Sequence, residues 1–375
     1  MSRAPCPRRA PPRPTPPAGT TAPGTPHRTH PPMTSEHRRG LFRRERAVTP
    51  LDGIDVILAD LDGVLYAGAD AIPHAVESLN TAQADGIRVA CLTNNAARTD
   101  RAVADHLTKL GFDVEAHDVI TSPQAATRML ADLIPAGSTV LVVGGDGLVA
   151  ELDKAGFEVT RSAEDGPAAV VQGFAPEVGW LQLAEASFAL ADDSVHWVAT
   201  NTDWTIPQAR GVAPGNGTLV SAVHTAVGRL PLVAGKPERA IYDLAIERFE
   251  AKSPLMIGDR LDTDIAGANR AGIPSVLVLT GIDKAKQVLA AGKDERPTFV
   301  LSDLRELHEP YPVAKVSKSG DAVEVRRASV RLEGSTVRIV ARGDSEIDLL
   351  RAASTLIWGC GRPIYALEVP EELYA

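Results

Sequence analysis

Short apolar runs recur along this chain, and longer segments with helical spacing separate them. Three runs, at Val56–Ala59, Arg88–Leu92 and Pro254–Ile257, are brief and aliphatic, which indicates strands buried inside a protein core. One helix, at about Pro73–Asp85, fits between the first two runs. Buried strands that alternate with helices predict an α/β fold built on a parallel sheet.

The interval from Thr93 to Lys236 is far longer than one helix–strand unit needs, so we expect it to contain an inserted domain. It has an alternation of its own, with predicted helices at Pro123–Leu133, Leu148–Ala155 and Pro176–Leu190 and strands at Thr139–Val143 and Ala168–Val171. We interpret Val195–Ala199 as the strand with which the chain returns to the core. The inserted domain is therefore also predicted to be α/β.

A third segment begins after Leu307, with a boundary at His308–Pro312. Its predicted elements are two alternating stretches, an apolar helix and a last strand, at Ala322–Val330, Ser335–Val340, Glu346–Leu356 and Ile364–Leu367. A module of this size buries too little surface to be stable alone, so we expect it to dock on the core or to serve in dimerisation. These patterns divide the chain into a core at residues 50–115 and 199–308, an inserted domain at 116–198 and a small α+β module at 311–375.

The segment before the core, residues 1–49, has a composition of its own. It is rich in proline and arginine and carries few large apolar side chains, so it cannot bury enough surface to fold. It also lacks the apolar centre of a secretory signal. We expect a disordered tail, or a start of translation placed too far upstream, with Met33 as the alternative start. A basic tail could also touch nucleic acid or anionic lipid.

The remaining composition narrows the class of protein. The whole chain carries a net charge of -9 despite its basic tail, which argues against nucleic acid as a substrate. No apolar stretch is long enough for a membrane span, so no membrane association is expected. The cysteines Cys6, Cys91 and Cys360 lie far apart without metal-binding spacing, which predicts a reduced, cytoplasmic protein.

Two aspartates stand directly after the first predicted strand. Asp60 and Asp62 are two positions apart and are followed by Gly63. Open α/β sheets bind ligands at the carboxyl ends of their strands. Because two carboxylates repel each other unless a cation or a proton lies between them, the pair predicts a hard divalent metal, with Mg²⁺ as the first choice. The alternative is a solvated strand-to-loop turn.

Three further segments follow in a fixed order along the chain. Thr93 and Asn94 end the second strand, where a hydroxyl and an amide can bind a phosphoryl oxygen. Lys236 precedes a helical pattern, and helix starts already favour anions. The third strand ends near Asp259, with Asp264 shortly after it. Each segment alone also fits a helix cap or a solvated side chain, but the combination of all of them in this order, three just after strands, indicates a functional site.

This order resembles the haloacid dehalogenase superfamily of phosphohydrolases, over roughly Ile54 to Leu279. The resemblance implies a Rossmann-like core, with Asp60 as the nucleophile that forms an aspartyl-phosphate and Asp62 as the general acid and later base. It further implies phosphate binding by Thr93, Asn94 and Lys236, Mg²⁺ binding by Asp60, the backbone carbonyl of Asp62 and Asp259, and support of the metal site by Asp264. An acid two positions after the nucleophile implies a phosphatase or mutase rather than a dehalogenase.

The inserted domain resembles the type-II (C2) cap of the subfamily that contains NagD-like and 4-nitrophenylphosphatase-like enzymes. Four stretches carry this likeness, namely Val143–Leu148, Gly173–Phe174, Ala199–Asp203 and Pro214–Gly217. Ala175 stands where the subfamily often has an acid, so the specificity contacts of the subfamily do not transfer directly. Asn201 and Asp203 re-enter the core beside the site and are candidates to touch the substrate or to order the active site.

The C-terminal module resembles the extra region of actinobacterial glycerol-3-phosphate phosphatases, which looks like part of a GNAT acetyltransferase. The resemblance implies a Mg²⁺-dependent phosphatase of a small phosphorylated metabolite, with glycerol 3-phosphate first and pyridoxal 5'-phosphate, 2-phosphoglycolate or a nucleoside monophosphate as alternatives. A hypothesis from another class is a regulatory or acyl-CoA-binding protein. Two observations argue against this second hypothesis. Gly359–Gly361 is a poor substitute for a CoA-binding loop, and a protein that only binds a ligand need not retain Asp60, Asp62, Lys236 and Asp259 together.

Overall fold

The structure is a computed structural model that describes residues 48–208 and 210–374, and of residues 207 and 208 the backbone alone. The predicted tail at residues 1–49 therefore lies outside the described residues, apart from its last two. The strands, in chain order, are β1 (Val56–Ala59), β2 (Tyr66–Ala67), β3 (Asp70–Ala71), β4 (Arg88–Thr93), β5 (Val119–Thr121), β6 (Thr139–Val143), β7 (Glu158–Thr160), β8 (Ala169–Gln172), β9 (His196–Ala199), β10 (Thr205–Gln208), β11 (Gly211–Pro214), β12 (Leu232–Val233), β13 (Pro254–Gly258), β14 (Ser275–Val278), β15 (Phe299–Leu301), β16 (Ala314–Val316), β17 (Ala322–Val325), β18 (Ala328–Glu333) and β19 (Thr336–Ala341).

The apolar spacing predicts bounds for five of the helices, and each of their observed ends lies within four residues of the predicted one. In chain order the helices are α1 (Ala75–Ala84), α2 (Asp100–Leu110), α3 (Ser122–Leu133), α4 (Asp146–Lys154), α5 (Trp180–Ala189), α6 (Asn216–Val227), α7 (Arg239–Phe249), α8 (Ala266–Ala271), α9 (Ala285–Ala290) and α10 (Glu346–Gly359). Within the described residues, none of these helices is both long and apolar enough to cross a membrane.

The core sheet has six parallel strands in the order β15-β14-β13-β1-β4-β5. Its central strand β1 pairs with β13 on one side and β4 on the other, and all four of its residues are buried. A strand covered on both faces has no polar side to alternate with, which explains its continuous aliphatic sequence. The parallel sheet confirms the predicted α/β core, and the carboxyl ends of β1, β4 and β13 meet at one edge.

A second sheet forms the inserted domain, which we call the cap domain. Its five parallel strands have the order β12-β9-β8-β6-β7. The prediction that Val195–Ala199 returns to the core is wrong, because β9 pairs with β8 and β12 in this second sheet. A short apolar run has the same pattern in either sheet, so the sequence could not tell which sheet it joins.

The extent of the cap domain also differs from the predicted range of 116–198. Strand β5 pairs with β4, so the core continues past residue 115 as far as Thr121. At the other end, β12 still belongs to the cap sheet, so the chain re-enters the core only after Val233. Residues 122–233 therefore build the cap domain, and the core segment assigned to 199–308 begins later than predicted.

The C-terminal module is an antiparallel sheet, β16-β17-β18-β19, covered by α10. The stretch Ala322–Val330 is divided into two strands, because the chain turns at Arg326 with a left-handed φ of 50°. The predicted last strand at Ile364–Leu367 is wrong, since Ile364–Ala366 forms a 3₁₀ turn. Pro363 and Pro370 flank this segment and lack the N–H groups that a ladder needs.

A buried arginine of the C-terminal module contacts the last strand of the core sheet. Arg351 is 4% exposed, and its guanidinium donates two hydrogen bonds to the carbonyl oxygen of Val300 at 2.9 and 2.7 Å. It also forms ion pairs with Asp348 and Glu306 and lies 4.6 Å from the centre of the Tyr311 ring. A buried charge is tolerated where it is paired and hydrogen-bonded in this way.

Candidate active site

The loop after β1 brings both predicted carboxylates to the edge of the core sheet. The backbone N–H of Asp60 still donates to Ile257 on β13, at 2.9 Å, so Asp60 continues the ladder while Asp62 has left it. Gly63 then turns with a φ of +82°, and a Cβ at this position would lie 2.3 Å from Oδ2 of Asp259. Glycine is required here both for the turn and for the close approach to Asp259.

The ammonium group of Lys236 lies between the carboxylates of Asp60 and Asp264. Its ammonium nitrogen is 2.5 Å from Oδ1 of Asp60 and 2.8 Å from Oδ1 of Asp264, and its side chain is 3% exposed. Burial acts to lower the pKa of Lys236, but the charges of Asp264 and Asp60 outweigh it and raise the pKa well above the usual range. The lysine is therefore a fixed positive charge beside Asp60.

Asp264 supports the loop that carries Asp259. Its Oδ2 accepts hydrogen bonds from the backbone N–H groups of Asp259 at 3.2 Å and Arg260 at 3.1 Å. Its Oδ1 lies 2.8 Å from the ammonium nitrogen of Lys236 in an ion pair, but has no hydrogen-bond partner among the described residues. The Tyr242 hydroxyl donates to the backbone carbonyl of Asp264 at 3.1 Å. This geometry suits a supporting role better than a direct metal contact.

The carboxylates of Asp60, Asp259 and Asp264 lie within 4.8 Å of one another, as metal ligands do. Oδ2 of Asp259 accepts from the N–H of Ile282 at 2.6 Å, but its buried Oδ1 has no hydrogen-bond partner among the described residues. Burial, followed by the charges of Asp60 and Asp264, raises the pKa of Asp259 to about 8. An orphaned oxygen among crowded acids fits a hard divalent cation, which Asp60 and Asp259 would hold.

Asp62 lies in an environment that favours its protonated form. Burial raises the pKa of the Asp62 carboxyl, although the positive charges of Lys236 and Arg98 oppose the shift. A general acid needs a raised pKa of this kind to keep a proton near neutral pH. Arg98 was not predicted from the sequence. It lies in a loop without periodicity, so only its place in the folded site reveals it.

Thr93 and Asn94 reach the site at the end of β4. The hydroxyl of the buried Thr93 accepts a hydrogen bond from the N–H of Asn95 at 3.0 Å and lines the cavity with Asp60. The amide of Asn94, in contrast, is occupied by Lys236 and Asp203. Direct phosphate binding stays a prediction for both residues, and this geometry favours it for Thr93.

Asn201 and Asp203 lie where the cap domain meets the core. The Asn201 amide donates to the carbonyl oxygen of Asn94 at 2.8 Å, and its Oδ1 accepts from the N–H of Asp203 at 3.2 Å. The amide of Asn216, on the first turn of α6, in turn donates to the carbonyl oxygen of Asn201 at 2.7 Å. These contacts order the junction between the domains. The sequence analysis names Asn201 and Asp203 as candidates, but it does not single out Asn216.

Most of these residues line one cavity of about 410 Å³ at the edge of the core sheet, whereas the fully buried Asp264 does not. The core contributes most of the charged residues of the lining, and the cap domain contributes Phe174, Pro176 and Ile206. Arg260 also lines the cavity and forms an ion pair with Asp262 at 2.7 Å, which leaves Asp262 outside the carboxylate cluster. A small phosphorylated molecule fits a pocket of this volume and charge.

Family models match both parts of the core. Residues 57–158 match a haloacid dehalogenase-like hydrolase model, and residues 233–307 match a HAD-hydrolase-like model. The D-glycerol 3-phosphate phosphatase of Mycobacterium tuberculosis is 40% identical, over 81% of this chain and 86% of its own length. Human chronophin is 36% identical, over 68% of this chain and 92% of its own. Both family models end before the C-terminal module, so its likeness to an acetyltransferase stays a prediction.

Solved structures show the same relationship. The glycerol phosphate phosphatase of Mycobacterium tuberculosis in complex with magnesium has a TM-score of 0.77 and 37% identity, and the match covers 87% of this chain and 95% of that one. The 4-nitrophenylphosphatase of Thermotoga maritima has a TM-score of 0.64 and 29% identity, over 69% of this chain and 97% of its own. The chain therefore belongs to the haloacid dehalogenase-like hydrolases.

Proposed function

We propose that this enzyme is a Mg²⁺-dependent phosphatase of small phosphate monoesters and that glycerol 3-phosphate is its main substrate. The observation that carries the proposal is the pairing of Asp60 with the buried Lys236, next to the orphaned Oδ1 of Asp259. A carboxylate prepared to attack an anionic phosphate needs both a fixed cation and room for a metal ion. When bound, Mg²⁺ supplies further positive charge at the phosphoryl oxygens.

In the first step, an oxygen of Asp60 forms a bond to phosphorus while the bond from phosphorus to the alkoxide oxygen breaks. The carboxyl of Asp62 gives its proton to the departing alkoxide, which leaves as an alcohol. An aspartyl-phosphate then stands on Asp60, beside the ammonium of Lys236. Asp62, now ionised, takes a proton from water, whose oxygen forms a bond to phosphorus while the bond from phosphorus to the Asp60 oxygen breaks. Inorganic phosphate leaves, and Asp60 and Asp62 return to their starting states.

The substrate proposal rests on the cavity and on the relatives. A cavity of about 410 Å³ that the cap domain covers suits a small metabolite better than a phosphoprotein. The M. tuberculosis relative named for D-glycerol 3-phosphate matches over 86% of its own length, including much of the cap. Pyridoxal 5'-phosphate, 2-phosphoglycolate and nucleoside monophosphates would use the same catalytic residues, so only the cap distinguishes among them.

Other predictions go with this function. We propose a cytoplasmic enzyme without nucleic-acid or membrane partners, and a homodimer stays a prediction. Acyl-CoA binding by the C-terminal module is disfavoured, because Gly359–Gly361 follows the carboxyl end of α10. The helix dipole is negative at that end, whereas a pyrophosphate group needs a helix amino terminus.

Phosphate release from a panel of monoesters tests the proposal. The panel contains glycerol 3-phosphate, pyridoxal 5'-phosphate, 2-phosphoglycolate, UMP and 4-nitrophenyl phosphate, each with Mg²⁺ and with EDTA. We expect the highest kcat/KM for glycerol 3-phosphate, and loss of that activity in EDTA. A higher kcat/KM for another ester would overturn the substrate, and activity that persists in EDTA would overturn the metal dependence.

A further inference from the structure

A short segment behind the active site contacts both loops that carry its acids. This bridge segment, Thr280–Asp283, connects β14 to α9. The Thr280 hydroxyl donates to the carbonyl oxygen of Gly63 at 2.7 Å, and the N–H of Ile282 donates to Oδ2 of Asp259 at 2.6 Å. The bridge segment therefore contacts two loops at once. One is the nucleophile loop, residues 60–63, and the other is the metal loop, residues 259–261.

The contact with Asp259 is unusually close. A Cβ added to Gly281 would lie 1.9 Å from Oδ2 of Asp259, so any side chain at position 281 would push the carboxylate aside. The hydrogen bond from Ile282 occupies Oδ2, and Oδ1 has no hydrogen-bond partner in the part of the chain that the structure describes. The bridge segment thus determines which oxygen of Asp259 remains for a metal ion.

Asp283 contacts the backbone of the metal loop at Asp259 and at Leu261. Its backbone N–H donates to the carbonyl oxygen of Asp259 at 3.1 Å, and its carboxylate accepts from the N–H of Leu261 at 2.6 Å. Asp283 is not a member of the carboxylate cluster at the site. Its contacts are with the backbone of the metal loop, so its effect on the metal would pass through Asp259.

The bridge segment continues directly into α9, and α9 is packed against the C-terminal module. Val288 of α9 and Leu349 of α10 are buried in one apolar cluster, which also contains Leu261 of the metal loop. The indole N–H of Trp358, on α10, donates to the carbonyl oxygen of Val288 at 3.1 Å. The guanidinium of Arg296 also contacts Trp358, at 5.6 Å from the centre of its ring.

We propose that the C-terminal module sets the affinity of the active site for its divalent metal, through α9 and the bridge segment, with Asp283 as a positioning residue for Asp259. Groups that orient a metal ligand from behind control metal affinity, and their loss typically weakens binding about 10- to 100-fold. The proposal rests on the proposed function, because it concerns the metal that this function requires. It gives the module a role in the site without any activity of its own.

Mg²⁺ titration of the full chain by calorimetry tests the proposal without relying on turnover. We expect Asp283→Ala to weaken Mg²⁺ binding by about tenfold or more. Asp283→Asn should recover most of that loss, because the amide oxygen can still accept from Leu261. Trp358→Ala should weaken binding as well, while Arg338→Ala, on an exposed part of the same module, should not. At saturating Mg²⁺, Asp283→Ala should regain most of its kcat.

Circular dichroism and melting curves identify variants that retain the fold. If Trp358→Ala does not fold, Trp358→Phe removes the hydrogen bond to Val288 and keeps most of the packing. Folded Asp283→Ala and Trp358 variants that bind Mg²⁺ as tightly as the wild type would overturn the inference alone. A wild-type protein that does not bind Mg²⁺ would overturn the proposed function first, so the two failures can be told apart.

Discussion

Asn94 holds the backbone of Lys236 from both sides. Its Oδ1 accepts from the N–H of Lys236 at 2.8 Å, and its amide nitrogen donates to the carbonyl oxygen of Lys236 at 3.0 Å. The second amide hydrogen reaches the carboxylate of Asp203, at 3.1 Å from Oδ1. Both donors of the amide are therefore used within the protein, so we expect Asn94 to act through the position of Lys236 rather than by binding the phosphate itself.

The first prediction concerns this pair. We expect Asn94→Ala to lower kcat on glycerol 3-phosphate by about 10- to 100-fold, because a small displacement of a catalytic group is costly. Asn80→Ala is the matched control, since the amide of Asn80 also bonds backbone groups, at Gly111 and Asp113, but does not line the cavity. Steady-state kinetics of both variants check the prediction, and normal turnover by Asn94→Ala would contradict it.

The second prediction concerns the nucleophile. Asp60→Asn should abolish turnover, because an amide of the same shape cannot form an acyl phosphate. The variant should keep its fold, since the ladder hydrogen bond from Asp60 to Ile257 uses only the backbone. Phosphate release and a thermal melt together check this. Full activity in the variant would refute the assignment of Asp60.

The third prediction separates the acid from the nucleophile. Asp62→Asn removes the proton that an alkoxide needs in order to leave, an effect worth roughly 10²- to 10⁴-fold in general acid catalysis. The 4-nitrophenolate ion leaves without a proton, so 4-nitrophenyl phosphate should lose much less activity than glycerol 3-phosphate. Comparison of kcat/KM for the two esters checks the prediction, because this ratio excludes the later hydrolysis step in which Asp62 also takes part. An equal loss on both would count against Asp62 as the acid.

The fourth prediction links the metal site to pH. In metal-free protein the pKa of Asp259 is raised from 3.8 to about 8, by burial first and then by neighbouring acids. Between pH 3.8 and about 8, Asp259 is therefore protonated in the native protein and ionised in the unfolded protein. The contribution of this group to the free energy of unfolding consequently falls as the pH rises from 3.8 to about 8. Mg²⁺ competes with the same proton, so the metal should raise the melting temperature more at pH 8 than at pH 6.

Thermal melts in EDTA and in Mg²⁺ at the two pH values measure this effect. Asp259→Asn is the control, because it should lose both the Mg²⁺ stabilisation and this part of the pH dependence. Equal stabilisation by Mg²⁺ at both pH values would show that no proton leaves Asp259 when the metal binds.

The fifth prediction concerns the docking of the C-terminal module. Arg351→Ala leaves the buried carboxylate of Asp348 with only the partly exposed Arg326 as an ionic partner among the described residues. Loss of one member of a buried ion pair typically costs about 3–5 kcal/mol of unfolding free energy. Urea unfolding monitored by circular dichroism checks this value. A loss below about 1 kcal/mol would mean that the module is held mainly by its apolar contacts.

The sequence predicts the core and its acids because both follow strong local rules. Asp60, Thr93 and Asp259 directly follow short aliphatic strands, so their meeting at one sheet edge follows from parallel pairing. The same rules fail for Val195–Ala199, because an apolar run does not reveal which of two sheets it joins. The sequence does not indicate a role for Asp283, because a single acid two positions after Gly281 forms no recognisable motif. Its role depends on contacts with the metal loop that only the folded chain brings together.

Detection of a phosphorylated enzyme distinguishes attack by Asp60 on the substrate from direct attack by water. Wild-type protein is mixed with glycerol 3-phosphate and Mg²⁺, quenched in acid within one turnover, and its peptides are analysed by mass spectrometry. The account predicts a phosphate on Asp60 that hydroxylamine removes and that does not form in EDTA or in Asp60→Asn. Continued release of phosphate by the wild type, with no phosphorylated Asp60 at any quench time, would contradict it.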